Sequence, residues 1–179
     1  MSAAPNPALL YTALMLRKLH ELRGFGRVLD AGAEGRYRAV LAEHLPGAAW
    51  IDATEAWRPV LGELRLRRRG ESLGLTDIRI LAAARLAGVE LALFEDVFEH
   101  LEPEGALALA SAWVESSSLV LVSLPATLPV GTALPALRAR FVAGDSAVCF
   151  LSVDAGRARQ VAQLQEAMSG IVQRMTEGA

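Results

Sequence analysis

Residues Arg27–Tyr37 read RVLDAGAEGRY, and this segment carries the strongest structural signal in the chain. A short apolar run closes on the carboxylate of Asp30, and a turn with Gly32 and Gly35 leads into a helical pattern. Such a strand, turn and helix start can hold a nucleotide-like ligand, because glycines admit close approach and the first helical turn has unpaired N–H groups. A carboxylate repels a pyrophosphate, so Asp30 suits a ligand whose nearby part is cationic or rich in donors.

The composition is that of one compact domain. The chain has 179 residues, of which 53% are hydrophobic and 21% charged, with a net charge of -2. We therefore expect residues 1–179 to form a single domain that binds neither nucleic acid nor membrane. The apolar stretch Leu9–Leu16 is too short for a membrane span, and its basic residues follow it, which is the wrong order for a secretory signal. These features predict a cytoplasmic protein.

The single cysteine, Cys149, excludes a disulfide framework and a zinc site of several thiolates. It lies in the apolar run Ala147–Leu151, which predicts a buried thiol rather than a nucleophile. No spacing of acids, histidines or cysteines indicates a metal site, since the neighbours Glu95 and Asp96 diverge from a strand.

Apolar periodicity predicts alternating strands and helices. The predicted helices are about 7–23, 35–45, 57–68, a segment up to 86, 103–115 and 157–175. The predicted strands are 27–31, 48–54, 75–78, 89–94 and 119–122, followed by a hairpin of 138–143 and 147–153 around Gly144–Asp145. This order implies an α/β fold: three layers, Rossmann-like, with a mostly parallel sheet that ends in an antiparallel hairpin. The core covers about 25–153, between an N-terminal and a C-terminal helix.

Ligands of such sheets bind beyond the carboxyl ends of the strands. Glu55 follows the second strand, about 20 residues past Gly35, which is the spacing at which an acid reaches a ribose diol. Asp52 is a competing candidate, but it lies within the predicted strand. Taken singly, Asp30 and Glu55 also fit as strand-end residues that cap the following helices.

Four segments in order resemble the class I S-adenosylmethionine-dependent methyltransferases. They are VLDAGAEGRYRAVLAEHLPGAAWIDATEAW (28–57), TDIR (76–79), LALFEDVFEHLEPEGALAL (91–109) and LVLVSLP (119–125). The resemblance covers roughly residues 25–125, and the collinearity of the motifs is more specific than any one of them. It implies a Rossmann-like fold, S-adenosylmethionine as cofactor, and a small-molecule acceptor.

The resemblance also implies roles for individual residues. Asp30 would lie near the amino group of the cofactor, Gly32 and Gly35 under its methionine part, Glu55 at the ribose hydroxyls, Asp77 at the adenine amino group and Ile78 against the ring. Asp96 and the pair Glu99–His100 would face the side of methyl transfer. His100 or Asp96 would then remove the acceptor proton. His100 equally fits a structural role in the loop after the fourth strand.

One departure from the family pattern leads to a second hypothesis. The pattern Asp-x-Gly-x-Gly-x-Gly has Glu34 in place of its second glycine and is one residue short here. This carboxylate would repel the cofactor's own, and the segment after Pro125 leaves little room for a substrate-binding insertion. The alternative is therefore a catalytically inactive methyltransferase-like binding or assembly module. A nicotinamide-dependent oxidoreductase ranks third, since Gly-x-Gly-x-x-Gly is absent.

The final helix carries an apolar stripe at heptad spacing. Its members are Val161, Leu164, Met168, Ile171 and Met175. This stripe either packs on the sheet of its own chain or mediates a homodimer.

Overall fold

The structure is a computed structural model, and it describes residues 6–30, 38–52, 88–94, 110–128, 130 and 134–177. The described strands are β1 (Arg27–Asp30), β2 (Ala49–Asp52), β3 (Leu91–Phe94), β4 (Leu119–Pro125), β5 (Leu137–Ala143) and β6 (Ser146–Leu151). The described helices are α1 (Pro7–Leu22), α2 (Arg38–Leu41) with a 3-10 turn at Ala42–His44, α3 (110–114) and α4 (Ala155–Glu177). The predicted elements at 57–68, 75–78 and up to 86 lie outside the described residues.

The described strands form one sheet in the order β2-β1-β3-β4-β6-β5. β1 pairs in parallel with β2 and β3, and β3 with β4, whereas β6 is antiparallel to β4 and to β5. Gly144, at φ 60°, makes the turn between β5 and β6. The predicted fold class is therefore confirmed. Along the chain, the sheet grows outward from β1 to β2 and then continues on the other side with β3, so the strand order reverses at β1.

Strand alternation divides the core between the two faces of the sheet. Face 1 packs against α1 and α4, and its strand residues include Val28, Leu91, Leu93, Leu119, Leu121, Val148 and Phe150. Face 2 packs against α3, and its strand residues include Leu29, Ala92, Phe94, Val120, Val122 and Cys149. Helices on both faces explain why β3 and most of β4 are continuously apolar.

Helix α1 begins where the sequence supplies a cap. The side chain of Asn6 accepts the backbone N–H of Ala8 at 3.0 Å, and Pro7 occupies the first helical position. Tyr11 anchors the helix on face 1, with its ring stacked 4.3 Å from Phe141 and edge-on to Phe150. None of the helices in the described part is long and apolar enough to cross a lipid bilayer.

Helix α4 begins at Ala155, two positions before the predicted start, because Asp154 caps it by accepting the N–H of Arg157 at 2.7 Å. Its apolar stripe packs mainly on its own chain. Val161 and Met168 are buried, Leu164 and Ile171 pack against the core of face 1, and Met175 is 51% exposed. The homodimer stays a prediction.

Two further expectations concern β6. The strand ends at Leu151, earlier than predicted. The next residue, Ser152, lies outside the strand, and its hydroxyl donates to Ser118 O at 2.7 Å. Cys149 is fully buried, as predicted, and burial raises the pKa of its thiol to about 11. Such a thiol is protonated at neutral pH and is a poor nucleophile.

Candidate functional site

The carboxyl ends of the four parallel strands meet at one end of the sheet, which we call the carboxyl end. Its strands finish at Asp30, Asp52, Phe94 and Pro125. β1 lies between β2 and β3, so the strand order reverses beside Asp30. In open α/β sheets, this reversal opens the crevice in which ligands bind.

Asp30 is the predicted site residue that the structure describes. It is 7% exposed and pairs in register with Asp52 on one side and Leu93 on the other. Alternation along β1 puts its side chain on the face of Val28, which is face 1. Asp30 also interacts within the chain. An ionised carboxylate has about four acceptor positions.

The other predicted site residues lie outside the described part of the chain. They are Gly32, Gly35, Glu55, Asp77, Ile78, Asp96, Glu99 and His100. Their roles stay predictions. The backbone of Asp52, which the sequence placed second to Glu55, stands beside that of Asp30 in the register of β1 and β2.

A cation, Arg140, reaches the same end of the sheet from β5. Its Nη2 donates to Ala126 O at 2.6 Å, and Ala126 N donates to Asp145 O at 2.7 Å. Because Ala126 directly follows β4, the side chain crosses β6 to reach it. Arg140 is half-buried, and its Nε is sealed from solvent without a hydrogen-bond acceptor.

Sequence reasoning missed Arg140, although a signal was present. The strand LRARFVA places a basic residue between Ala139 and Phe141, two side chains that pack on face 1. A basic residue between two core positions must point to the opposite face, where Arg140 faces Cys149 in register.

The opposite, amino end of the sheet is occupied by the chain's own polar contacts. The carboxylate of Glu90 accepts the backbone N–H groups of Gly26 and Arg27. Its carbonyl accepts Ser118 Oγ at 2.6 Å and Leu119 N at 3.0 Å. These bonds join the starts of β1, β3 and β4.

Arg157 also binds backbone groups at the amino end. Its guanidinium donates to the carbonyls of Leu19 at 2.9 Å, of Gly24 at 3.1 Å and of Arg23, at the end of α1. It also lies 4.1 Å over the ring of Phe25. Burial lowers the pKa of Arg157 to about 10, which still leaves it charged at neutral pH. A cation at this position neutralises the negative end of the helix dipole.

His20 has a packing role at the end of α1. Its Nδ1 accepts Phe25 N at 3.0 Å, which leaves Nε2 to donate to Pro46 O at 3.0 Å. Its ring also stacks on Phe25. Both ring nitrogens are thus used to hold α1 against the start of β2.

Two open grooves of the described surface lie elsewhere. One of about 420 Å³, between the start of α1, the β5–β6 turn and the end of α4, has no titratable lining residue. Another, of about 740 Å³, runs along α4 alone. Among the described residues, no three His, Cys, Asp or Glu side chains are grouped to hold a metal ion.

No protein-family model matches this chain, and no curated protein sequence matches it. The solved structures that are similar to it include the following two. The pyocyanin biosynthetic protein PhzM is 13% identical with a TM-score of 0.46, and the match covers 78% of this chain and 54% of PhzM. The mitomycin 7-O-methyltransferase MmcR is 12% identical with a TM-score of 0.43, and the match covers 79% of this chain and 53% of MmcR. The chain spans about half the length of either protein, and no residue role is transferred from them.

Proposed function

We propose that this chain binds S-adenosylmethionine at the carboxyl end of its sheet and transfers the methyl group to a small-molecule acceptor. One observation carries the proposal: Asp30 is buried at the carboxyl end of β1, where the strand order reverses. A carboxylate at this position favours a cationic group that is rich in donors, and the ammonium group of an amino acid is such a group.

The motif order of the sequence supports the same site. The resemblance assigns Gly32 and Gly35 to the methionine part, Glu55 to the ribose, and Asp77 with Ile78 to the adenine. In the sequence, Gly32 and Gly35 follow β1 and Glu55 follows β2, and the described part of the sheet has the predicted fold class. The chemistry of the donor set therefore fits the cofactor.

The reaction exchanges one bond for another. Bound S-adenosylmethionine supplies an activated methyl group: its S–CH₃ bond breaks as a bond from carbon to the acceptor's oxygen or nitrogen forms. The chain's contribution is to hold the two molecules in line and to exclude water. His100 or Asp96 takes the proton that leaves the acceptor.

Isothermal titration with S-adenosylmethionine and S-adenosylhomocysteine tests the proposal. We expect micromolar binding that weakens at least about tenfold, or about 1.4 kcal/mol, in Asp30→Asn and Glu55→Ala. Glu166→Gln is the matched control, since it removes a carboxylate from the exposed side of α4. Absence of binding at millimolar ligand overturns the cofactor assignment.

The second candidate is a methyltransferase-like module without catalysis. One observation favours it: only residues 126–136 connect β4 to β5, which leaves little chain for a substrate-binding insertion. Glu34 in the glycine turn adds to it. The variant Glu34→Gly separates the candidates, because cofactor binding in the variant alone supports the inactive module.

A further inference from the structure

The guanidinium of Arg140 uses little of its bonding capacity within the chain. An arginine side chain has five N–H donors. Arg157 directs four hydrogen bonds to the chain, and Arg138 directs two to Pro135 O and Leu137 O. Among the described residues, Arg140 donates to Ala126 O alone; its buried Nε has no acceptor there, which is also true of Arg157 Nε.

Arg140 also lacks a counter-charge in the described part of the chain. The ion pairs found there join Arg17 and Lys18 to Glu21, and Arg23 to Asp154. A half-buried cation without an acid beside it is costly, and an external anion offsets that cost. The planar fork of a guanidinium matches carboxylate and phosphate oxygens in pairs.

The placement of Arg140 relates it to the proposed reaction. Its guanidinium lies beside Ala126, just past β4, and β4 is the neighbour of β3. Because β4 lies between β6 and β3 and neighbouring strands are about 4.8 Å apart, β6 is roughly 10 Å from β3. A small acceptor of one or two rings spans that distance.

We propose that Arg140 binds an anionic group, a carboxylate or a phosphate, on the acceptor molecule. That the ligand is the methyl acceptor rests on the proposed function, but binding of an anion at Arg140 does not need the cofactor. A purely structural role, holding the carbonyl of Ala126, explains one hydrogen bond and gives no selectivity for charge. Charge selectivity therefore separates the two roles.

The test is an NMR titration of the ¹⁵N-labelled full chain, without cofactor, using benzoate, benzamide and inorganic phosphate as probes. We expect benzoate or phosphate to bind with a millimolar Kd and to shift the Arg140 Nε–H signal and the amides around Ala126, and benzamide to shift neither. Arg140→Gln should weaken anion binding at least about tenfold. The matched variant Arg138→Gln, two positions away on β5, should bind as wild type.

Each outcome decides the proposal. Benzoate binding identifies a carboxylate site, and phosphate binding in its place identifies a phosphate site. Equal binding of benzamide and benzoate, equal losses in both variants, or no shift with either anion overturns the proposal. The charge comparison uses wild-type protein, so it stands even if Arg140→Gln fails to fold. Since no cofactor is added, these results are independent of the titrations with S-adenosylmethionine.

Discussion

The two ends of the parallel sheet use polar residues in opposite ways. At the amino end, Glu90 and Arg157 direct their charges to backbone groups of β1 and α1. At the carboxyl end, Asp30 is buried where the strand order reverses, and Arg140 keeps donors unused. At one end the charges are bound to backbone groups of the chain, and at the other we expect the polar groups to serve a ligand at a cost in stability.

The largest expected effect tests the amino end. Arg157→Met removes the side-chain donor to the carbonyls of Leu19 and Gly24 together with a buried charge, so the free energy of unfolding should fall by about 3–5 kcal/mol. Urea denaturation measures it. Arg159→Met is the control, because Arg159 is exposed on the same helix and its loss should change stability by less than about 0.5 kcal/mol. Equal losses of unfolding free energy in the two variants would show that the hydrogen bonds of Arg157 do not stabilise the amino end.

The second effect is a loss of stability in alkali. Burial raises the pKa of Cys149 from 9.0 to about 11, so the unfolded chain loses this proton first. Stability from this group is fully present below pH 9.0 and should fall by about 2–3 kcal/mol as the pH rises to about 11.

Urea midpoints over this pH range check the prediction, and Cys149→Ala should show a flatter dependence. The native thiol should also resist thiol reagents at neutral pH. Fast modification in the folded protein would show that this part of face 2 opens.

The third effect concerns the cap of α4. Asp154→Ala removes the acceptor for Arg157 N, which should cost about 1 kcal/mol in thermal or urea unfolding. The backbone N–H of Arg157 holds the pKa of Asp154 below its usual range. The contribution is therefore present above the usual carboxyl pKa and lost as the pH falls through the lowered value. Asp145→Ala, in the exposed β5–β6 turn, is the control, and this variant should lose stability at acid pH as wild type does.

The smallest effect on stability belongs to the carboxyl end. Asp30→Asn should change the free energy of unfolding of the unliganded chain by less than about 1 kcal/mol, because the role that we propose for the residue is binding rather than stability. The same variant should abolish the stabilisation that S-adenosylhomocysteine gives to wild type in a thermal shift. A loss of unfolding free energy comparable to that of Arg157→Met would show that the two ends of the sheet do not differ in their contribution to stability.

The sequence predicted the fold well where periodicity was strong. The apolar runs of β3 and β4 and the turn at Gly144 predicted strands and a hairpin that the structure contains. Boundaries shifted where a side chain intervened: Asp154 starts α4 early, and Ser152 ends β6 early. Such contacts join residues distant in sequence or depend on a rotamer, which a periodicity pattern does not encode.

The roles of the site residues stay predictions, and the structure gives the place of one of them. Asp30 is buried at the strand end where the glycine-rich motif placed it. Arg140 was missed because its relation to Ala126 depends on β6 lying between β4 and β5, and strand order is a property of the whole sheet. The role of Arg157 was missed for the same reason, since its partners lie more than a hundred positions earlier.

The contact between α4 and α1 has a consequence for the order of folding. Leu19 and Gly24, at the end of α1, receive their hydrogen bonds from Arg157, which leaves the ribosome long after them. Until then, α1 has neither the guanidinium of Arg157 at its end nor the helix beside it. We therefore expect α1 to stay open to chaperones and proteases during synthesis and to become protected in one late, cooperative step, as contacts between distant segments form slowly.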